Sequence, residues 1–362
     1  MTNAVSVAQY GSTGTTTAFK NRIINGAMVI DQRNAGVAWG TSINGYTVDR
    51  WALYQSVTGK LNGGQNYNSA SLPAGFTNYA GMQSQSAYSV GASDYYLFQQ
   101  QIEGFNASDL GWGTANAKTV TLSFVVQSSL TGTFGGAIQN SATNRSYPFS
   151  YTISSANTWT TISVTIAGDT SGTWLTTNGI GITVRFGLGV GSTFSGTAGS
   201  WSGNNYFSAT GATSVVGTNG ATFYITGVQL EVGTQATNFD VRSYGTELAL
   251  CQRYYAQLGS VSGGSGAYAA LGAGYCTSGT NFNVYCKHPV SMRSAPTVTF
   301  SSIYAVSYPN QPAVTSINAT YPGSDSSMIS FAASAGGLTA GNGTLVATSG
   351  TTAGYIGLSS EL

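Results

Sequence analysis

"GIGITVRFGLGVG", residues 179–191, places Ile180, Ile182, Val184, Phe186, Leu188 and Val190 at every second position. Only an extended strand sends alternate side chains to the same side, so the run is a long β-strand with Gly and Thr on its other face. The same period recurs in "KTVTLSFVVQSS" (118–129) through Val120, Leu122, Phe124 and Val126. It recurs again in "TISVTIAGD" (161–169) through Ile162, Val164 and Ile166, before Gly168 and Asp169 break it. "ATFYITGVQLEVG" (221–233) alternates on either side of Gly227, which predicts a β-bulge there. No segment before residue 243 has a helical period. The fold class that follows is all-β.

A helix is predicted over 244–255. Thr246 is a candidate N-cap, Glu247 complements the helix dipole, and Leu248, Cys251 and Tyr255 share a face. Beyond it the strand period returns in Phe282, Val284 and Cys286, then Val298 and Phe300, then Ile329 and Phe331. A chain of 362 residues exceeds what one core usually supports. The expected organisation is a polar N-terminal segment (1–19), a jelly-roll β-sandwich (20–243), the linking helix and a smaller C-terminal β-sandwich (256–362).

Charged residues are 6% of the chain against a usual share of about 25%. With 22 Tyr, 15 Phe and many β-branched residues, the composition is that of a folded β protein rather than a disordered one. The net charge of +1 and the lack of any basic run argue against nucleic-acid binding through phosphates. No stretch approaches the ~20 apolar residues of a membrane helix, and the N-terminus lacks the pattern of a secretory signal. Cys251, Cys276, Cys286 and the single histidine, His288, have no zinc-site spacing. Cys276 and Cys286 either pair across neighbouring strands or remain buried thiols, and the thiols are the simpler expectation. No cofactor is expected.

Two segments hold eleven of the 23 charged side chains. Residues 20–51 carry Lys20, Arg22, Asp31, Arg33, Asp49 and Arg50, and residues 230–255 carry Glu231, Asp240, Arg242, Glu247 and Arg253. These segments open and close the first sandwich, so the charges are expected to meet at a seam, Arg33 or Arg50 against Glu231 or Asp240. The functional alternative is a carboxylate pair for glycoside hydrolysis. Each acid of the cluster has an arginine nearby in sequence, which favours pairing. Glu103 and Asp109 are the pair to test for catalysis.

"NRIINGAMVIDQRNAG" (21–36) with "YTVDRW" (46–51), "QQIEGFNASDLGWGTANAKTVTLSF" (100–124) and "FYITGVQLEVGTQATNFDVRSYGTELALCQRYY" (223–255) resemble, in order, the motifs of a family of bacteriophage and prophage virion proteins. "YCKHPVSMRSAPTVTF" (285–300) resembles the second sandwich of such proteins. The resemblance implies a tail-fibre or capsid-fibre protein on the virion, with a jelly roll similar to carbohydrate-binding modules. It implies no catalytic residues. It further implies a homo-oligomer, in fibres a trimer, and residues 1–19 as an anchor ordering against other virion proteins. Few charges suit a particle surface, since such a structure depends little on ionic strength.

Sugar recognition requires aromatic faces beside amides and hydroxyls. Trp112 in "GWGT", Trp174 in "SGTWLTT", and Trp201 with Tyr206 in "GSWSGNNYF" sit among glycines and polar residues, as loop aromatics do, whereas Trp51 has apolar neighbours and belongs to the core. Jelly rolls of the kind resembled often hold a structural calcium ion, for which Asp31, Asp49, Glu231 and Asp240 supply oxygen ligands without a contiguous calcium loop. His288 has no nucleophile motif beside it and is expected as a structural surface histidine. Three functions follow in order: a non-enzymatic virion appendage that binds a host glycan, a purely structural capsid or tail decoration, and a glycan-degrading tailspike-type enzyme.

Overall fold

A computed structural model describes residues 19–36, 44–68, 70–260, 269–334, 336–348 and 353–362. The segment 1–18, and with it nearly all of the expected anchor, lies outside the described residues. Among the described residues, thirteen strands make the first unit: β1 (Gly45–Val48), β2 (Trp51–Gln55), β3 (Leu61–Gln65), β4 (Ala80–Ser84), β5 (Tyr95–Glu103), β6 (Val120–Ser128), β7 (Gly132–Gln139), β8 (Ser146–Ile153), β9 (Thr160–Ile166), β10 (Ile180–Val190), β11 (Ser195–Gly196), β12 (Ser208–Ala209) and β13 (Thr222–Val232). They form a six-stranded sheet in the order β1-β2-β5-β10-β7-β8 and a five-stranded sheet in the order β3-β4-β13-β6-β9. Apart from the two-residue parallel pair β11–β12, the ladders are antiparallel, which is a jelly-roll sandwich.

The alternating positions fill the space between the sheets. Ile182, Val184, Phe186 and Leu188 of β10 are buried against Val120, Leu122, Phe124 and Val126 of β6 and the rest of one core. Trp51 stacks on Phe98 at 5.0 Å, and Phe124 meets Phe186 edge-on at 5.0 Å. Gly227 has φ +62 and sits where the β13–β6 register shifts between Thr226 and Gln229. The bulge changes parity, so Phe223 and Ile225 before it and Val228 and Leu230 after it all enter the core. A side chain there would strike the Phe76 ring, 2.6 Å from an added Cβ.

The helix spans Tyr244–Gln252, shorter than expected, because Tyr255 already begins the next strand. Its N-cap is Ser243, whose hydroxyl accepts from the Thr246 amide at 3.4 Å, so Thr246 lies inside the helix rather than capping it. Cys251 and the following Tyr254 pack on Ile24 and Ile30 of the first unit. The second unit joins a three-stranded sheet, β14 (Tyr255–Ser260), β22 (Gly354–Ser359) and β17 (Thr297–Ser301), to a six-stranded one. The latter runs β18 (Ile303–Val306), β21 (Gly343–Thr348), β15 (Ala270–Cys276), β16 (Asn281–Lys287), β20 (Ser326–Ala333) and β19 (Val314–Pro322). Phe282, Val284, Ile329, Phe331, Ile356 and Leu358 fill this smaller sandwich. Cys276 and Cys286 are buried free thiols in it, and burial pushes Cys286 up to about 12. His288 is buried, not on the surface: its ring nitrogens meet the Ser324 carbonyl at 3.0 Å and the Ser327 hydroxyl at 2.9 Å.

The charge seam is real but its partners differ from those expected. Arg33 and Arg50 converge on Glu361, which follows the last strand of the second unit; Arg33 reaches it at 2.9 Å and Arg50 makes a close contact. Arg33 also lies 3.6 Å from Asp49. The two guanidiniums cover the rings of Tyr255 and Tyr254, each 3.6 Å from the centroid. Glu231 instead accepts from Thr237 and Gln229 within its own turn, and Asp240 pairs with Arg242 at 3.4 Å. Further bonds tie the units: Arg253 grips Glu103 at 2.7 and 2.9 Å, and Arg293 donates to the carbonyls of Asn178, Ser360 and Glu361.

Glu361→Gln leaves the buried Arg50 without its carboxylate. Breaking such a pair from one side costs about 3–5 kcal/mol, so urea unfolding should show a midpoint well below that of the unaltered chain; an unchanged midpoint would remove the seam from the account.

Candidate functional site

While the even positions of β10 fill the core, the odd positions look out from the other side of the six-stranded sheet. Arg185 lies opposite Gln99 of β5 and Ala137 of β7, and Thr183 lies opposite Gln101 and Gln139. On the far side of β5, Ala52 lies opposite Gln99 and Tyr54 opposite Leu97, and Tyr46 of β1 faces Ala52. The pleat thereby sets Tyr46, Tyr54, Gln99, Arg185 and Gln139 on one face.

The connection from β10 to β13 crosses part of this face. Ser208 settles over Gly135 and Gly187, where an added Cβ would come within 2.4 and 2.7 Å of its hydroxyl, so only glycine admits the crossing. The crossing segment carries Phe194 and Phe207, stacked at 4.5 Å, and Tyr95 meets both edge-on. Together they form an aromatic wall beside Arg185, whose guanidinium lies 4.4 Å from the Phe207 centroid.

Two glutamines orient Arg185. Its Nε donates to Gln99 Oε1 at 2.8 Å, and its Nη1 donates to Gln139 Oε1. Gln139 is itself aimed by donating from Nε2 to Asn205 Oδ1 at 2.6 Å. Burial pulls the Arg185 pKa down to about 10. A partly exposed guanidinium, planar amides and aromatic rings on rigid strands can hydrogen-bond and stack on a polar ring-shaped ligand. Nothing in the pattern of β10 assigned a site here, although Arg185, a lone charge on a Gly/Thr face, was the available signal.

The expected sugar-binding aromatics are placed differently. Trp112, Trp174 and Trp201 come together as a T-shaped trio with centroids 4.7–5.5 Å apart, and Tyr147 packs on Trp201 at 5.2 Å. Trp112 and Trp174 are buried members of the core, 6% and 9% exposed. Each indole N–H is spent on a backbone carbonyl: Trp112 on Lys118, Trp174 on Ser171 and Trp201 on Ala167. The adjoining cavity, about 140 Å³, is small beside typical ligand pockets of about 300–1,000 Å³. Tyr206 is partly buried, its ring over Gly196 and its hydroxyl accepting from Asn204 at 3.0 Å. The trio closes one end of the sandwich, braced by the two-bond Arg145–Asp169 pair at 2.7 Å.

Glu103 accepts from Arg253 and the Tyr254 hydroxyl, while Asp109 pairs with Arg22 at 2.7 Å and lies 3.8 Å from Lys118, so both carboxylates are already engaged by cations. The suggested calcium ligands do not converge. Asp31 caps its own turn through Asn34 and Gly36, Asp49 serves Gln32 and Arg33, and Glu231 and Asp240 have the partners given above. Among the described residues no three His, Cys, Asp or Glu side chains gather as metal ligands, and no helix is long and apolar enough to cross a membrane.

No protein-family model matches the chain, and no curated protein matches it. Among solved structures, the enzymatically active domain of tailspike protein 4 from bacteriophage CBA120 is similar over 59% of this chain and 21% of its own, at 12% identity and a TM-score of 0.34. A putative sugar binding protein from Bacteroides thetaiotaomicron is similar over 59% of this chain and 100% of its own, at 12% identity and a TM-score of 0.33. A family 11 carbohydrate-binding module from Clostridium thermocellum, in complex with a mixed-linked tetrasaccharide, is similar over 52% of this chain and 92% of its own, at 12% identity and a TM-score of 0.28.

Trp112→Ala removes a buried ring from the trio. The expected loss is about 3–5 kcal/mol, read as a lower thermal midpoint; a variant that melts normally but loses ligand binding would instead make the trio a binding site.

Proposed function

We propose that the protein is a virion surface module that binds a host-cell glycan, without cleaving it, on the outer face of the first six-stranded sheet. The observation that carries this is the arrangement of Tyr54, Gln99, Gln139 and Arg185 beside the Tyr95, Phe194 and Phe207 wall. Amide and guanidinium groups fixed by one another cost little to order on binding, and rings supply area for a sugar's C–H face. The virion setting rests on the ordered motif resemblance. Tyr54→Ala, at the open side of Arg185, should weaken adsorption to susceptible cells or binding on a glycan array by about tenfold or more while the fold is kept, since an aromatic contact and its area are worth about 1.5–3 kcal/mol. Release of oligosaccharides from the bound polymer would replace the binder with an enzyme.

A structural, assembly role has its own support. On the outer face of the second six-stranded sheet, Val306, Leu345, Ala273, Tyr285, Met328 and Tyr321 are paired strand to strand into one row. Leu345, Tyr285, Met328 and Tyr321 are 38–60% exposed. At about 4.8 Å per strand the row is about 24 Å long, the kind of apolar patch that marks a protein contact. Another copy of this chain, in a trimer, is the occupant we assign. Tyr285→Lys with Tyr321→Lys should convert the oligomer to monomer in native mass measurements; an unchanged mass would place the subunit contact elsewhere.

A further inference from the structure

We propose that Arg185 reads a carboxylate, so that the glycan bound on this face is an acidic one containing uronic or sialic acid units. This rests on the glycan-binding reading and adds the chemical class of the ligand.

The inference comes from accounting for every charge. All eleven Asp and Glu residues lie within the described residues. The ion pairs they form take in Arg22, Arg33, Arg50, Lys118, Arg145, Arg242 and Arg253, and none takes in Arg185. Lys20, Lys60, Lys287 and Arg293 also lack a carboxylate, but Lys20 donates to the Asn238 carbonyl, Lys60 lies over the Tyr88 ring, Lys287 is exposed, and three backbone carbonyls occupy the Arg293 guanidinium. Arg185 has only the two neutral glutamine oxygens. In a protein so sparing of charge, a largely buried arginine without an acid is costly to fold and is explained by a partner that arrives later.

The geometry of what is left over narrows that partner. Two of the five guanidinium N–H groups are used, by Gln99 and Gln139, and Nη2 has no acceptor among the described residues. The residue is only partly buried, which leaves the Nη2 N–H groups free for an incoming acceptor. The end formed by Nη1 and Nη2 is the fork that a carboxylate matches with two parallel bonds. Phe207 beneath the guanidinium and the Gln139–Asn205 brace hold that fork at a fixed angle. Lysine, a point charge, would not reproduce it.

The test uses the full chain and four carboxylated polymers, polygalacturonate, alginate, hyaluronate and polysialate, each beside its carboxyl-reduced product, with dextran sulfate and neutral galactan as controls. Affinity electrophoresis and calorimetry should find at least one acidic polymer bound, with its reduced form about tenfold weaker or more, as expected for losing a charged hydrogen-bond partner. Arg185→Met should erase the difference between the two forms, and Arg185→Lys should restore only part of it. A bound polymer whose affinity survives carboxyl reduction, or dextran sulfate bound as well as the best carboxylate, would overturn the inference and leave glycan binding intact. No polymer bound by the unaltered chain would overturn both. Should Arg185→Met fail to fold, the comparison of native and reduced polymer on the unaltered chain decides alone.

Discussion

Glu361 sits between two arginines of the other sandwich, and the rest of the molecule is arranged to make that placement tolerable. A buried cation without its counter-charge is among the most expensive features a fold can carry. Arg50 is essentially inaccessible, and Glu361 retains only 8% of its side-chain exposure. The stacked rings of Tyr254 and Tyr255, the Gln101 carbonyl and the nearby Arg253–Glu103 pair complete the enclosure. The two sandwiches therefore share a polar seam in addition to the helix between them.

That seam explains the uneven charge distribution along the chain. Strands built from Ser, Thr and Gly satisfy their backbone through the ladders and need no ions. Several ionised side chains stand where segments distant in sequence must meet in one orientation, because charge-assisted bonds fix angle as well as distance. The charges of residues 20–51 serve this purpose through Arg22, Arg33 and Arg50.

Strand layout was legible because period-two alternation is a local property. β10, β6 and β13 could be read residue by residue, and even the bulge at Gly227 announced itself through a glycine in an otherwise continuous pattern. Partnership across the seam was not legible. Glu361 lies 311 residues from Arg50 in sequence, behind "GYIGLSS", which reads only as a strand. The packing of the tryptophans was hidden for a related reason. Gly-rich surroundings mark a loop but do not reveal that three such loops fold inward onto one another, as those carrying Trp112, Trp174 and Trp201 do. Arg185 was visible throughout, yet its meaning depends on the absence of any acid beside it, and only three dimensions supply that fact.

The span between Arg50 and Glu361 sets a timetable. At about 5–20 residues per second of synthesis, the arginine emerges roughly 15–60 s before the carboxylate that will neutralise it. Throughout that interval the nascent first sandwich carries an unmatched cation at the surface where the second will dock. Its final closure thus waits for a residue that follows β22, and a ribosome that stalls within the second sandwich leaves behind a first one that is assembled but unsealed.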